Sequence, residues 1–262
     1  MAQPAADLHI HTTVSDGTLR LAEIPAAATD ADIGLVAVTD HDRIHPGLDA
    51  PVTDREGVTI VRGIELRVET DRQRLDLLGY GVEPTDALLA ECDRLQQNRV
   101  DRAREIIDRL EARRGVALDL TPEPGIGRPH IARAIGASDA PYDYQDAFDE
   151  LIGDGCPCYV ARKITPFDRG RELLADACPV VGLAHPLRYD DPDAALEHTA
   201  DLDAVERYYP YERAVDSTPV DNAIDCHNLL ATGGSDAHDT TLGRAGPPAS
   251  VVSRFHQQLE KR

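Results

Sequence analysis

The chain of 262 residues is long enough for one large domain, or for one domain with an insertion, and its formal net charge is −20. This acidity argues against a protein that coats duplex nucleic acid, because phosphate backbones repel acidic surfaces. No apolar run approaches the roughly 20 residues that a bilayer-spanning helix needs, and the first residues lack a signal-peptide pattern, so we expect a cytoplasmic protein with no membrane partner.

Two further features of the composition concern salt and redox chemistry. Lysine occurs only at Lys163 and Lys261, and tryptophan is absent from the sequence, which is typical of proteins from a salt-loaded cytoplasm. We therefore expect most acidic residues to form a halophilic-type solvated surface. The five cysteines are scattered and include no C-x-x-C pair, which argues against a disulfide framework and a zinc ribbon.

The first predicted strand carries a histidine pair. Apolar and polar residues alternate through residues 7–11, so His9 and His11 project from the same side of the strand. Asp16 follows on a tight turn and can reach the same region. Two neighbouring imidazoles favour a divalent cation between them, although paired surface histidines are also common. The pair indicates a metal site only if the rest of the chain supplies partners.

A helix and a buried strand are predicted next. Residues 21–31 are alanine-rich and predict the helix, and the apolar residues 35–39 predict the strand. The strand ends at His41, the position where parallel α/β folds keep their chemistry. A further helical stretch is expected before residue 58.

Two later strands each contain one carboxylate among apolar neighbours. Glu65 lies in the predicted strand segments at residues 58–66, and Asp76 lies in the predicted strand at residues 75–82. A buried carboxylate costs free energy unless it is paired or bound to a metal. Both residues are therefore candidate ligands.

The pattern changes after residue 84. Residues 86–114 predict one long amphipathic helix, and shorter helices are predicted from about residues 129 and 144. We interpret this region as a helical insertion that covers the mouth of the active site. The predicted boundaries are 1–94 and 161–262 for a barrel domain and 95–160 for the insertion.

Alternating strands and helices resume after the insertion. The apolar strand at residues 179–184 ends at His185, and a weaker strand covers residues 202–206. After a predicted helix, the final strand region contains Asp236 and His238. Apolar strands with polar ends, separated by helices, predict a parallel barrel or sheet.

The polar residues near the strand ends form a set with the chemistry of metal ligands. A parallel barrel brings such positions to one face, and mixed imidazole and carboxylate donors suit manganese, iron or zinc. Nine ligands exceed the capacity of one ion, so two or three divalent ions are expected. The predicted ligands are His9, His11, Asp16, His41, Glu65, Asp76, His185, Asp236 and His238.

Several of these segments together resemble the ordered motifs of the polymerase and histidinol phosphatase (PHP) superfamily. The resemblance is closest to the branch of nucleoside 3′,5′-bisphosphate phosphatases and 5′-3′ exoribonucleases. It implies a distorted seven-stranded (β/α) barrel with a helical insertion. The segments that carry it are Asp7-Leu8-His9-Ile10-His11-Thr12 with Ser15-Asp16-Gly17, Thr39-Asp40-His41-Asp42, Gly63-Ile64-Glu65, Leu78-Gly79-Tyr80, Gly127-Arg128-Pro129-His130, Ala184-His185-Pro186 and Gly234-Ser235-Asp236-Ala237-His238.

The resemblance also implies how the ligands divide among ions. One ion would be held by His9, His11, Glu65 and Asp236, and another by Asp16, His41 and His238. Glu65 would bridge to a remaining ion that His185 also holds. The chain departs from the family at Asp76, where members commonly have histidine. A carboxylate can still coordinate, and it favours manganese or magnesium over zinc.

Substrate phosphate needs positive donors in addition to metal ions. Arg128 and His130 stand at the start of a predicted helix, where backbone N–H groups also suit an anion, and the resemblance implies a phosphate-binding role for both. The alternative for Arg128 is an ordinary surface arginine. Tyr208 and Tyr209 are candidates for lining a base or ribose pocket, and packing explains them equally well.

The expected reaction is hydrolysis of phosphate esters of nucleotides by a metal-activated hydroxide, with manganese as the favoured ion. The substrate is expected to be a nucleoside 3′,5′-bisphosphate or a short RNA 5′ end. Asp236 is a catalytic candidate, and His41 and His238 are candidate proton donors to the leaving group. A histidinol-phosphatase-like or other small-molecule phosphatase would use the same metals. Alternatives of another kind are an amidohydrolase, which also uses H-x-H, and a non-catalytic metal-binding PHP module.

Overall fold

The structure is a computed structural model that describes residues 3–260, and a mixed sheet carries the predicted ligands. Seven strands in the order β1-β2-β4-β5-β7-β8-β9 form a curled half-barrel, and β3 and β6 each pair with β4. The strands are β1 (Ala6–Ile10), β2 (Leu35–Val38), β3 (Val52–Arg55), β4 (Val58–Glu69), β5 (Arg74–Tyr80), β6 (Thr165–Pro166), β7 (Val180–Leu183), β8 (Ala204–Tyr208) and β9 (Leu230–Gly233).

Parallel pairing explains why several strands read as continuous apolar runs. Strands β1 and β2 are buried along their whole length and pair in parallel, as do β2 with β4 and β8 with β9. Helices cover both faces of such sheets, so neither face alternates with polar residues. An isolated parallel bridge joins Ile10 to Ala237 and brings the first and last strand regions together.

Strand β5 departs from the parallel arrangement expected from the sequence. It runs antiparallel to both β4 and β7. The short connection between Glu69 and Arg74 accounts for this, since parallel neighbours need a crossover of a dozen or more residues. Because β5 is reversed, its beginning lies at the edge where the parallel strands end. Asp76 therefore lies beside the other ligands although it stands near the start of its strand.

The helix expected before residue 58 was wrong. That region contains β3, which forms an antiparallel hairpin with β4 through Glu56 and Gly57. Both turn residues have left-handed φ values, 55° and 83°, as a two-residue turn that matches the twist of the strands requires. Pro46 and Pro51 also disfavour a helix here.

The helices agree with the predictions through most of the chain, and the long helix and the two shorter ones after it are confirmed. The helices at Phe167–Ala177, Pro192–Glu197 and Ala249–Leu259 were not predicted. The helices are α1 (Ile24–Asp30), α2 (Asp86–Arg114), α3 (Arg128–Gly136), α4 (Tyr144–Asp146), α5 (Phe167–Ala177), α6 (Pro192–Glu197), α7 (Thr218–His227) and α8 (Ala249–Leu259). Short helical turns occur at Leu21–Glu23, Ala147–Ile152, Pro186–Arg188 and His198–Asp201. Within residues 3–260, no helix combines the length and apolar character needed to cross a bilayer.

The chain divides into two compact units. The first unit comprises Met1–Ala90 and Ile164–Arg262, and the second comprises Glu91–Lys163. The first unit contains the sheet. The second unit is helical and has an apolar core of its own, which includes Ile106, Leu110, Ile131 and Ile152.

Candidate metal centre

All nine predicted ligands lie in three clusters in the first unit, and the donor atoms of each cluster lie within 4.8 Å of one another. Two clusters share His11, which directly follows β1, and we call them the β1 clusters. The third cluster we call the Asp76 corner. The β1 clusters are His11, Asp16, His41, His238 and His9, His11, Asp236; the Asp76 corner is Glu65, Asp76, His185.

The histidine pair of β1 is buried and its ring nitrogens converge. The Nε2 atoms of His9 and His11 lie 3.2 Å apart. Nδ1 of His9 lies 3.2 Å from a carboxylate oxygen of Glu206, an arrangement that places the proton on Nδ1 and leaves the Nε2 lone pair for a metal. Burial acts to lower the pKa of His9, but the carboxylates of Glu206, Asp236 and Glu65 together raise it well above its ordinary value.

Glu65 stands at the centre of the three clusters. Its Oε1 lies 3.2 Å from Nε2 of His185, and its Oε2 lies 2.6 Å from Nδ1 of His41 and 3.4 Å from Nε2 of His11. Burial acts to raise the pKa of Glu65, but the histidines around it hold that pKa well below its ordinary value. A carboxylate in this position can contribute one oxygen to the donor atoms on each side of it.

Asp236 faces the histidine pair with one oxygen and the protein with the other. Its Oδ1 lies 3.1 Å from Nε2 of His11 and 3.5 Å from Nε2 of His9. Its Oδ2 accepts hydrogen bonds from Arg188 Nη1 at 2.9 Å and from the Tyr209 hydroxyl at 2.8 Å. The outer contacts fix the carboxylate plane while Oδ1 remains directed at the imidazoles.

Asp16 joins the two more exposed histidines. Its Oδ1 lies 3.4 Å from Nε2 of His238 and 3.8 Å from Nε2 of His41. The atom is buried and has no hydrogen-bond partner among the described residues. His41 and His238 have side chains that are 18% and 35% exposed, so solvent reaches the centre on this side.

The donor set fits divalent metal ions. Two ligands bound to one ion at 2.0–2.1 Å lie about 3 Å apart. The nitrogen and oxygen atoms of these clusters stand 3.1–3.5 Å apart at six of the contacts described. A buried carboxylate oxygen without a hydrogen bond, such as Oδ1 of Asp16, is costly unless a cation meets it. The mixed imidazole and carboxylate donors are those of a divalent transition-metal site.

The Asp76 corner differs in its surroundings. Nε2 of His185 lies 3.7 Å from Oδ2 of Asp76, whereas the Arg67 guanidinium contacts both Asp76 oxygens, Nε to Oδ1 at 2.6 Å and Nη2 to Oδ2 at 2.5 Å. Arg67 and Asp76 are directly opposite on β4 and β5. Arg67 was not predicted as a site residue, because a single arginine in a strand is usually a surface residue.

The backbone is left-handed at three residues of the centre that are not glycine. The φ angles are 50° at Asp42, 29° at His185 and 48° at Asp236. Each such residue carries backbone strain, which persists only where surrounding contacts impose it. Two of the three are predicted metal ligands, so the ligand geometry is imposed by the fold at some conformational cost.

Three buried carboxylates support the ligands without belonging to a cluster. Glu206 on β8 contacts His9 and also accepts the backbone N–H of His185 at 2.7 Å. Asp40 accepts from Ser15 Oγ and from the backbone and hydroxyl of Thr12, which fixes the turn that carries Asp16. Glu206 was missed, although a charged residue between buried strand positions was the same signal that identified Glu65.

Asp7 is the third supporting carboxylate. It accepts hydrogen bonds from the backbone N–H of Ser235 at 2.8 Å and of Gly243 at 2.9 Å, and also from the Ser235 hydroxyl. Burial raises the pKa of Asp7 to about 6, against the effect of these hydrogen bonds. These bonds tie β1 to the segment that carries Asp236.

A cavity of about 870 Å³ adjoins Asp236 in the first unit. Arg188, Arg213 and Arg244 supply positive charge to its wall, and Tyr209 and Tyr211 supply aromatic surface. The ring centroids of the two tyrosines lie 4.8 Å apart. The cavity can therefore receive a ligand with both anionic and planar apolar parts.

The predicted phosphate ligands Arg128 and His130 lie in the second unit, at the start of α3. Nη1 of Arg128 pairs with Asp154 at 2.7 Å, and Nδ1 of His130 accepts the backbone N–H of Gly127 at 3.1 Å. The second contact places the His130 proton on Nε2, where it can be donated to an anion.

Further arginines gather around Arg128. The guanidinium carbons of Arg102 and Arg128 lie 5.7 and 5.8 Å from the centroid of the same ring, Tyr159. Burial and the charges of Arg128, Arg162 and Arg99 lower the pKa of Arg102 to about 9. A group of like charges held together in this way favours an anion.

Comparison with known proteins identifies relatives that span most of the chain. A 3′,5′-nucleoside bisphosphate phosphatase of Chromobacterium violaceum is 31% identical over 250 residues, which cover 88% of this chain and 86% of the relative. The 5′-3′ exoribonuclease Rnm of Escherichia coli is 27% identical over 247 residues, which cover 88% of this chain and 84% of the relative. No protein-family profile matches the chain.

A solved structure supports the fold. A protein of Bifidobacterium adolescentis, described as a metal-dependent phosphoesterase, superposes with a TM-score of 0.81 over 98% of each chain at 22% identity. The predicted seven-stranded PHP architecture is thus confirmed. With a relative above 30% identity along most of its length and three clusters of metal-type donors, the chain belongs to the PHP metal-dependent phosphoesterases related to 3′,5′-nucleoside bisphosphate phosphatase.

Proposed function

We propose that this phosphoric ester hydrolase acts on nucleotides, either nucleoside 3′,5′-bisphosphates or the 5′ ends of short RNA. The observation that carries the proposal is the cavity beside Asp236, which combines arginines with paired tyrosines next to the metal-type donors. The activities named for the two relatives support the same substrate class.

The metal requirement is proposed to be two or three divalent ions, with manganese favoured. His9, His11, Glu65 and Asp236 would hold one ion, and Asp16, His41 and His238 another, with Glu65, Asp76 and His185 as the remaining set. Divalent ions bound there would lower the pKa of water and neutralise phosphate oxygens. The carboxylate-rich donor set favours manganese or magnesium over softer ions.

Two histidines are proposed to supply the leaving-group proton. Among the predicted ligand histidines, His41 and His238 have the most exposed side chains, and both lie close to Asp16. Asp236 is proposed as a catalytic carboxylate because it touches the histidine pair and also lines the cavity. Burial acts to raise the pKa of Asp236, but the His9 and His11 imidazoles hold that pKa well below its ordinary value. Arg188, which pairs with Asp236, also reaches the cavity wall.

The second unit is proposed to be the substrate-binding insertion of this enzyme. Arg128 and His130 are its proposed phosphate ligands, and the guanidinium groups of Arg102 and Arg162 add positive charge near Arg128. In a chain with a net charge of −20, such a cationic group stands out as a site for an anionic substrate. Tyr209 and Tyr211 in the first unit are proposed to contact a base or ribose.

The deciding experiment is a substrate panel in manganese buffer. It compares adenosine 3′,5′-bisphosphate, a 5′-phosphorylated oligoribonucleotide and histidinol phosphate at equal concentration. We expect kcat/KM for one of the first two to exceed that for histidinol phosphate by at least about 100-fold, which corresponds to a difference of about 2.7 kcal/mol. Equal, slow turnover of all three substrates would contradict the nucleotide proposal.

The role of Arg128 is tested with a matched pair of variants on α3. Arg128→Ala is expected to raise KM for the preferred nucleotide by about tenfold or more, because a charge-assisted hydrogen bond to phosphate is lost. Arg133→Ala removes an exposed arginine of the same helix and is expected to leave KM unchanged. Similar kinetics for both variants would indicate that Arg128 is an ordinary surface arginine with no role in phosphate binding.

A further inference from the structure

The Asp76 corner is the part of the metal centre that contains a cationic side chain in contact with both oxygens of a ligand carboxylate. Arg67 Nε and Nη2 lie 2.6 and 2.5 Å from the two oxygens of Asp76, a fork-to-fork ion pair. Asp76 is 1% exposed, whereas the Arg67 side chain is 34% exposed. The pair therefore closes this corner from the solvent side.

The other carboxylates of the centre are held differently. Asp236 gives one oxygen to Arg188 and keeps Oδ1 for the histidine pair. Both oxygens of Glu65 face imidazoles, at distances of 2.6–3.5 Å. Oδ1 of Asp16 is unbonded among the described residues and lies between two imidazoles. Each of these directs at least one oxygen at imidazoles rather than at a guanidinium group.

The charge balance at the Asp76 corner is already met by the chain. A divalent ion bound to Asp76 would stand on the same carboxylate as the guanidinium, and two cations so close repel each other strongly in a partly buried site. The farther position of Asp76 from the metal-type donors agrees with this, because its Oδ2 lies 3.7 Å from Nε2 of His185 whereas Glu65 Oε1 lies at 3.2 Å.

The register of β4 against β5 brings the two members of the ion pair together. Arg67 and Asp76 are paired residues of β4 and β5, so their side chains leave the sheet on the same face. The backbone N–H of Arg67 is also held by Asp42 Oδ1 at 3.1 Å, and that of Asp76 by the Tyr189 hydroxyl at 2.9 Å. Both members of the pair are thus fixed at backbone and side chain.

We propose that Arg67 supplies the positive charge of the Asp76 corner in place of a third divalent ion, so that this phosphoesterase operates with ions at the two β1 clusters alone. The inference rests on the proposed metal dependence of the enzyme. Positive charge at this corner is then present at every metal concentration, whereas charge at the β1 clusters depends on ions from solution.

Metal counting tests the inference without reference to substrate. The protein is loaded with excess Mn²⁺, dialysed, and analysed by plasma mass spectrometry, and Mn²⁺ affinity is measured by calorimetry. We expect two ions per wild-type chain. Arg67→Met is expected to retain a third ion, with affinity at that position raised about tenfold or more because the competing cation is gone. Arg74→Met, which removes a more exposed arginine of β5, is the matched control and is expected to retain two.

A second variant covers the case in which Arg67→Met fails to fold. The double change Arg67→Ser with Asp76→His removes the ion pair and provides a neutral imidazole, and it too is expected to bind three ions. Three tightly bound ions in the wild type, or weaker metal binding in Arg67→Met, would overturn the inference and make Arg67 a residue that positions Asp76 as a ligand. Absence of metal binding in the wild type would instead contradict the proposed function.

Discussion

The β1 clusters and the Asp76 corner meet the same electrostatic requirement in different ways. In the β1 clusters, Asp236 and Asp16 direct Oδ1 at imidazoles 3.1–3.8 Å away, while Arg188 pairs with the other oxygen of Asp236. In the Asp76 corner the carboxylate is compensated by Arg67. A buried carboxylate needs a cation, and at the Asp76 corner the chain supplies one from its own side chain. At the β1 clusters we propose that ions take that place.

The largest expected effect comes from the residue that both β1 clusters share. His11→Ala is expected to lower bound metal and to reduce kcat/KM by about 1,000-fold, since the loss of metal assistance costs several kcal/mol of transition-state stabilisation. Metal analysis and steady-state kinetics measure both quantities. His256→Ala on α8 is the control. Normal metal content in His11→Ala would contradict the view that the β1 clusters, unlike the Asp76 corner, depend on bound ions.

Glu206 touches both regions and is expected to affect them together. Glu206→Gln removes the negative charge that orients the His9 imidazole, so Mn²⁺ affinity is expected to fall by about 10- to 100-fold. A Gln side-chain oxygen can still accept the N–H of His185, so the melting temperature is expected to change little. If stability fell while metal affinity stayed constant, Glu206 would be a packing residue only.

The hydrogen bond between Ser235 and Asp7 supports the β1 clusters alone. Ser235→Ala removes the hydroxyl that donates a hydrogen bond to the buried carboxylate of Asp7. This loss is expected to lower the free energy of unfolding by about 1.5 kcal/mol. Urea denaturation of the metal-free protein measures this. Ser253→Ala on the exposed face of α8 is expected to stay within about 0.5 kcal/mol of the wild type.

The smallest effect concerns the arginines of the second unit, another place where the chain supplies positive charge. In metal-free buffer, inorganic phosphate is expected to raise the melting temperature, because it binds the folded protein. Arg102→Gln is expected to reduce this rise by about half or more, since Arg102 lies in the group of like charges. Arg104→Gln, on the exposed side of α2, serves for comparison and should keep the full rise.

Most of the predicted ligands follow or interrupt an apolar run of the sequence, and this pattern is what singled them out. His9, His11 and His185 were recognised in this way, and the structure brings them together with the other six. The direction of β5 could not be predicted from the sequence, because runs of buried apolar residues look the same in parallel and antiparallel strands. The β3 strand and the turn before residue 58 were mistaken for a helix, because the Glu-Gly turn was not recognised as a hairpin turn.

The contribution of Arg67 was beyond reach of the sequence for a related reason. Its pairing with Asp76 depends on the register of β4 against β5, and one residue of slip would place the two side chains on opposite faces. Glu206, in contrast, could have been predicted from the sequence. Like Glu65, it is a carboxylate in a strand with buried apolar residues, although the apolar pattern of β8 is weaker than that of β4.

The left-handed backbone at Asp236 sets activity against stability at a single residue. Glycine adopts a φ of 48° without the strain that an aspartate carries there, which costs about 1–3 kcal/mol. A glycine at this position would thus relax the backbone while deleting a ligand. Selection for thermal tolerance alone would drift toward loss of the enzyme, so libraries built to stabilise this protein need a catalytic screen at every round.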